Sequence, residues 1–114
     1  MDFDRLDPLS YQTDLAAWHR AEPVLLFKHS PTCGVSARAL KEVERYRDAH
    51  PETTVYLIDV IRERAFSLRV AGDLQIGHSS PQVIVVREGQ AAWSESHWRI
   101  DADTIADAVD RVAA

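Results

Sequence analysis

The sequence predicts an α/β domain: a central mixed β-sheet flanked by helices, ending in a β-hairpin and a C-terminal helix. Three observations carry this. Unbroken apolar or β-branched runs alternate with stretches whose apolar residues recur at three- and four-residue spacing. Pro and Gly mark the boundaries between these stretches. The chain has 114 residues, 46% of them hydrophobic and 27% charged. That suits one domain over 1–114, with a core that needs neither disulfides nor a structural metal.

The elements follow in order. From about Ser10 to Arg20, Leu15 and Trp18 give a short amphipathic helix, which Glu22-Pro23 breaks. Val24 to Phe27 is an unbroken apolar run, as in a strand buried on both faces. His29 to Thr32 reads as a polar turn. Val35, Ala39, Leu40, Val43 and Tyr46 then mark a helix to about Ala49, which His50-Pro51 ends. Thr54 to Val60 is a β-branched second strand. Phe66, Leu68, Val70, Ala71 and Leu74 mark a helix from Arg62 to about Leu74. Val83 to Val86 is a third strand, Glu88-Gly89 a hairpin turn and Ala91 to Trp93 the return strand. Asp101 caps a last helix that buries Ile105, Ala108, Val109 and Val112. Helix, strand, helix, strand, helix, strand, strand, helix is the order of the thioredoxin fold.

Charge and composition narrow the function. The formal net charge is −5 and Lys/Arg form no long runs, unlike a general nucleic-acid binder. No stretch has the length of a membrane-spanning helix, so no membrane partner is expected. Met1-Asp2-Phe3-Asp4-Arg5 shows no basic-then-apolar signal pattern, so the expected location is the cytoplasm. One cysteine forbids an internal disulfide and suits a reducing compartment.

That cysteine, Cys33, falls after a buried strand and at the start of a helix, with Thr32 the expected N-cap. Helix N-termini offer unpaired N–H groups and partial positive charge, and both stabilise a thiolate. The dipole contributes only about 0.3–2 kcal/mol. Direct hydrogen bonds must therefore share the task. The candidates are the N–H groups of Val35 and Ser36 and the hydroxyls of Thr32 and Ser36. Ser36 also stands three residues on, where a two-cysteine oxidoreductase carries its resolving thiol. Cys33-Gly34-Val35-Ser36 is thus a one-thiol version of that motif. A serine closes no disulfide, so Cys33 must form a mixed disulfide with an external thiol and be released by a second. Ser36 otherwise reads as a solvated first-turn residue. Pro81 opens a strand after Ser79-Ser80. In this fold a cis-proline commonly occupies that place, leaving the backbone of Ser80 free to pair with a disulfide substrate.

The stretch from Phe27 to Ser36 resembles the active-site segment of the YtxJ-like monothiol bacilliredoxins. Leu57 to Val60, His78 to Gln82 and Ser96-His97-Trp98 are similar to the same family, and the resemblance runs from about Val24 to the C-terminus. It implies a thioredoxin-like fold and removal of bacillithiol from protein mixed disulfides. Cys33 would attack the protein–bacillithiol bond and hold the bacillithiol; free bacillithiol or a second bacilliredoxin would regenerate it. The implied partners are bacillithiolated proteins, with bacillithiol as thiol co-substrate and no bound cofactor. One position departs: Gly34 stands where the family commonly has proline. Cys-Gly-Val-Ser is close to the Cys-Gly-Phe-Ser of monothiol glutaredoxins, which carry iron–sulfur clusters between subunits. A cluster carrier and a redox-silent interaction domain are therefore the competing readings.

Bacillithiol carries a malate unit, so its pocket calls for cations and donors. Lys28, His29, Arg38, His78 and His97 are candidates, His29 foremost because it lies four residues before Cys33. Each taken alone reads first as a solvated surface residue. Trp93 and Trp98 could flank a ligand or pack in the core. The five histidines show no close ligand spacing, so no metal site is expected. Asp59 reads as a strand-end or cap residue.

Overall fold

The apolar run beginning at Val24 forms the centre of the sheet. The computed structural model describes residues 7–8 and 21–114, so the helix expected over 10–20 lies outside the described residues. The strands are β1 (Asp7–Pro8), β2 (Val24–His29), β3 (Thr54–Asp59), β4 (Gln82–Arg87) and β5 (Gln90–Ser96). The helices are α1 (Gly34–Ala49), α2 (Arg64–Asp73) and α3 (Ala102–Ala113). A 3-10 turn over His97–Arg99 precedes α3. The sheet order is β1-β3-β2-β4-β5. β1, β3 and β2 run parallel; β4 is antiparallel to β2, and β5 antiparallel to β4.

Both faces of β2 are covered, which explains its unbroken burial. Leu25 and Phe27 pack with Ala39, Leu40, Val43, Ile105 and Ala108 on the α1/α3 face. Val24 and Leu26 pack with Phe66, Val70 and Leu74 on the α2 face. The strands and helices expected beyond residue 20 are all present. The two-residue β1 and the 3-10 turn are additions, too short to leave a periodic signal.

Local chemistry explains the boundaries. Glu88 and Gly89 both have positive φ, 52° and 78°, as a type I′ hairpin turn requires. Asp101 caps α3 through Oδ1, which accepts the Thr104 N–H at 2.8 Å. Gln75, at φ 54°, closes α2. Its N–H bonds the Gly72 carbonyl and that of Ile76 the Ala71 carbonyl, a Schellman arrangement made without glycine.

Candidate active site

Cys33 sits where β2 hands over to α1. It is the N-cap of α1 itself, with extended backbone (φ −107°, ψ 126°). Thr32, the expected cap, is exposed one residue earlier. The correction has a simple cause: the Ala37 N–H bonds the Cys33 carbonyl, so the helix starts at Gly34. The N–H groups of Gly34, Val35 and Ser36 fall ahead of that bond, in the turn that carries the thiol. Cys33 is partly exposed, so an external disulfide can reach it. The Ser80-Pro81 peptide bond is cis, as the fold predicts.

Ser36 departs from the solvated first-turn residue that the sequence suggested: it is fully buried. Its Oγ lies 2.8 Å from His29 Nδ1 and accepts the Ser30 N–H at 2.9 Å. His29, expected in the turn and on the surface, is instead the buried last residue of β2. Burial holds its imidazole below the usual histidine range, and the Asp59 carboxylate pulls the other way. His29 pairs in register with Asp59 on β3. Asp59 is the strand-end cap the sequence suggested: Oδ1 accepts the N–H groups of Ile61 and Arg62 at 2.9 and 3.0 Å. The hydroxyl standing in place of a second thiol thus clamps the start of α1 to the end of β2.

Lys28 is the second surprise. Beside His29 but pointing to the α2 face, it is fully buried. Its Nζ donates to the Ser67 carbonyl at 3.0 Å, and desolvation pushes its ammonium down to about 8. Ser67 Oγ lies 3.1 Å from His78 Nε2. Burial and the charges of Lys28 and Arg64 hold His78 below its ordinary value. Gln82, which faces Lys28 across the strands, has a buried Oε1 without a partner among the described residues, as does Ser80 Oγ.

The far wall is the 3-10 turn. The His97 N–H bonds the Pro81 carbonyl at 3.1 Å. Arg38, on α1, lies 5.6 Å from the Trp98 ring centroid. Trp93 packs against the core, whereas Trp98 is 66% exposed. The structure therefore brings Cys33, Gly34, Ser36, His29, Ser80 and Pro81 to one end of the sheet. Sequence reasoning missed the burial of Lys28, whose only signal is its continuity with the apolar run. Among the described residues, no three His, Cys, Asp or Glu side chains gather as metal ligands, and no helix is long and apolar enough to cross a membrane.

A partly exposed helix-capping cysteine on this sheet, together with a cis-proline, defines a thioredoxin-fold thiol oxidoreductase. Solved structures agree. A protein described as a candidate oxidoreductase with a thioredoxin fold matches with a TM-score of 0.82 at 25% identity, over 92% of this chain and 94% of its own. A mutant thioredoxin from Halobacterium salinarum matches at 0.76 and 17% identity, over 100% and 96%. Chlamydomonas reinhardtii thioredoxin f2 matches at 0.74 and 10%, over 93% and 94%; these two bear on the fold alone. The family model of the monothiol bacilliredoxin BrxC matches residues 6–105, so the chain belongs to that family. The match begins upstream of Val24, where the resemblance first shows in the residues.

Proposed function

We propose that this protein is a cytoplasmic monothiol oxidoreductase that removes bacillithiol from mixed disulfides on proteins. The observation that carries the reading is the pairing of Cys33 with Ser36. The thiol caps the helix in a fold that carries the cis-proline, while the residue that would resolve a disulfide is a buried hydroxyl held by His29 and Ser30. The Cys33 thiolate attacks the bacillithiol sulfur of the mixed disulfide. The Cys33–bacillithiol bond forms, the protein–bacillithiol bond breaks, and the protein sulfur leaves with the electron pair and takes a proton from solvent. A bacillithiol thiolate then attacks the bacillithiol sulfur held on Cys33, giving bacillithiol disulfide and regenerating Cys33. With no second thiol in the chain, both steps use external thiols.

Intact-mass analysis after incubation with bacillithiol disulfide tests this. The expected result is one adduct per chain, absent from Cys33→Ser and discharged by free bacillithiol. An adduct that persists in Cys33→Ser, or none in the wild type, refutes it.

A further inference from the structure

We propose that Trp98 and Arg38 form the subsite that receives the carboxylate-bearing part of the small thiol held on Cys33. The inference rests on the proposed function and adds to it the residues that select the thiol.

Position comes first. The His97 N–H to Pro81 carbonyl bond ties the 3-10 turn to the cis-proline, at the end of the sheet that carries Cys33. Arg38 rises from α1, five residues after the thiol. Between them stands a large ring that is 66% exposed. Tryptophan is normally well covered, or placed where a partner covers it.

The ring is also held. Arg38 Nη1 donates to the carbonyls of Trp98 and Ile100 at 3.3 and 3.2 Å, with its guanidinium carbon 5.6 Å from the ring centroid. His97 adopts a left-handed backbone, φ 56°, which costs a non-glycine residue about 1–2 kcal/mol. Strain of this kind persists where the surroundings enforce it, and it gathers at ligand clamps. Here it accompanies a tight turn that leaves Trp98 outside.

Charge identifies the ligand class. Arg38, beside the ring, is exposed, and so is Arg99, the next residue along the turn, on a chain whose formal net charge is −5. Asp101 lies within the field of Arg38, but its two oxygens are engaged by the N–H and hydroxyl of Thr104. A guanidinium fork recognises a carboxylate, and an indole face receives C–H groups and stacked cations. A protein mixed disulfide has one half that changes with each client and one that never changes. A preorganised, cationic, aromatic platform suits the invariant half, because fixed geometry rewards a ligand of fixed shape.

The test compares Cys33 adduct formation from three disulfides: bacillithiol disulfide and glutathione disulfide, which bear carboxylates, and neutral hydroxyethyl disulfide. The readout is the ratio of second-order rates, anionic over neutral, which is insensitive to the fraction folded. Trp98→Ala and Arg38→Gln are each expected to lower that ratio about tenfold, and Trp98→Phe to keep it within about threefold. If bacillithiol disulfide reacts no faster than glutathione disulfide, the thiol named in the proposed function falls. A Trp98-dependent preference for glutathione disulfide over the neutral one would still support the subsite. A ratio unchanged in Trp98→Ala, or no wild-type preference for either anionic disulfide, overturns the subsite.

Discussion

Lys28 and His29 are adjacent on one strand, both buried, and solve the problem of burial in opposite ways. His29 points to the α1 face, where burial favours its neutral form and Ser36 Oγ supplies a partner at 2.8 Å. Lys28 points to the α2 face and donates to a backbone carbonyl, while burial pushes its ammonium down to about 8. The first arrangement is a satisfied clamp that fixes the turn carrying Cys33. The second keeps a charge on the strand position paired with Gln82, whose buried Oε1 has no partner among the described residues. The difference teaches that the end of the sheet is hydrogen-bonded on the thiol side and electrostatically loaded on the other.

Breaking the clamp has the largest expected effect. Ser36→Ala removes the acceptor of the Ser30 N–H and the 2.8 Å contact of His29 Nδ1 together. An orphaned buried polar group costs about 1–3 kcal/mol. Urea unfolding of the variant should show a loss of about 2–3 kcal/mol, because Ser30 is only partly buried and recovers some hydration. Alkylation of Cys33 should change with it, since the clamp sets the geometry of the turn from Ser30 to Cys33. A loss below about 0.5 kcal/mol, typical of an ordinary surface change, would show that the two bonds do not stiffen the site.

Lys28→Met removes the load, with the opposite sign. Lowering an ammonium from 10.5 to about 8 corresponds to about 3 kcal/mol of burial cost at neutral pH. Replacing a buried charge with an apolar side chain of similar length is often neutral or stabilising. The variant should gain about 1–3 kcal/mol at pH 7. The pH dependence follows from proton counting. Between about 8 and 10.5 the unfolded wild type holds the extra proton, so wild-type stability rises with pH across that window. The advantage of the methionine variant should shrink there. His29 acts with the same sign in a lower window: its folded form resists protonation, so stability falls as pH drops below 6.5. A methionine variant less stable than wild type at pH 7 would mean that the Lys28 ammonium is well satisfied after all.

Legibility in the sequence divides along the same line. The strands and helices are readable because their apolar residues follow period two, period 3.6 or an unbroken run. The cap at Asp101 and the hairpin turn are readable because their chemistry is local. The site is less so. Cys33, Pro81 and the missing second thiol can be placed from the chain, but Ser36 finds its partner seven residues back, across the strand-to-helix junction. That contact belongs to the fold and leaves no local pattern. His29 looks like the start of a polar turn and Lys28 like a surface cation, because polarity usually marks a strand end. Here both faces of β2 stay covered to its last residue. Trp98 reads as core or ligand flank, because composition does not say which way a short turn directs its ring.

The smallest effect concerns Gly34, where the family resemblance leads one to expect proline. Gly34 is the first residue of α1, directly after the Cys33 cap, and a Cβ there would meet nothing within 4 Å. Proline is favoured at that first position, because its fixed φ suits the helix and its missing N–H is not needed by the helix. Gly34→Pro should therefore stabilise the fold by about 0.4–1 kcal/mol, through the reduced entropy of the unfolded chain. It should also remove one N–H from the turn that carries the thiol. If that N–H helps hold the thiolate, the variant gains stability while Cys33 alkylates more slowly at neutral pH, so the two quantities move in opposite directions. If both are unchanged or rise, the glycine contributes only freedom, and the remaining donors, Val35 and Ser36, suffice for Cys33.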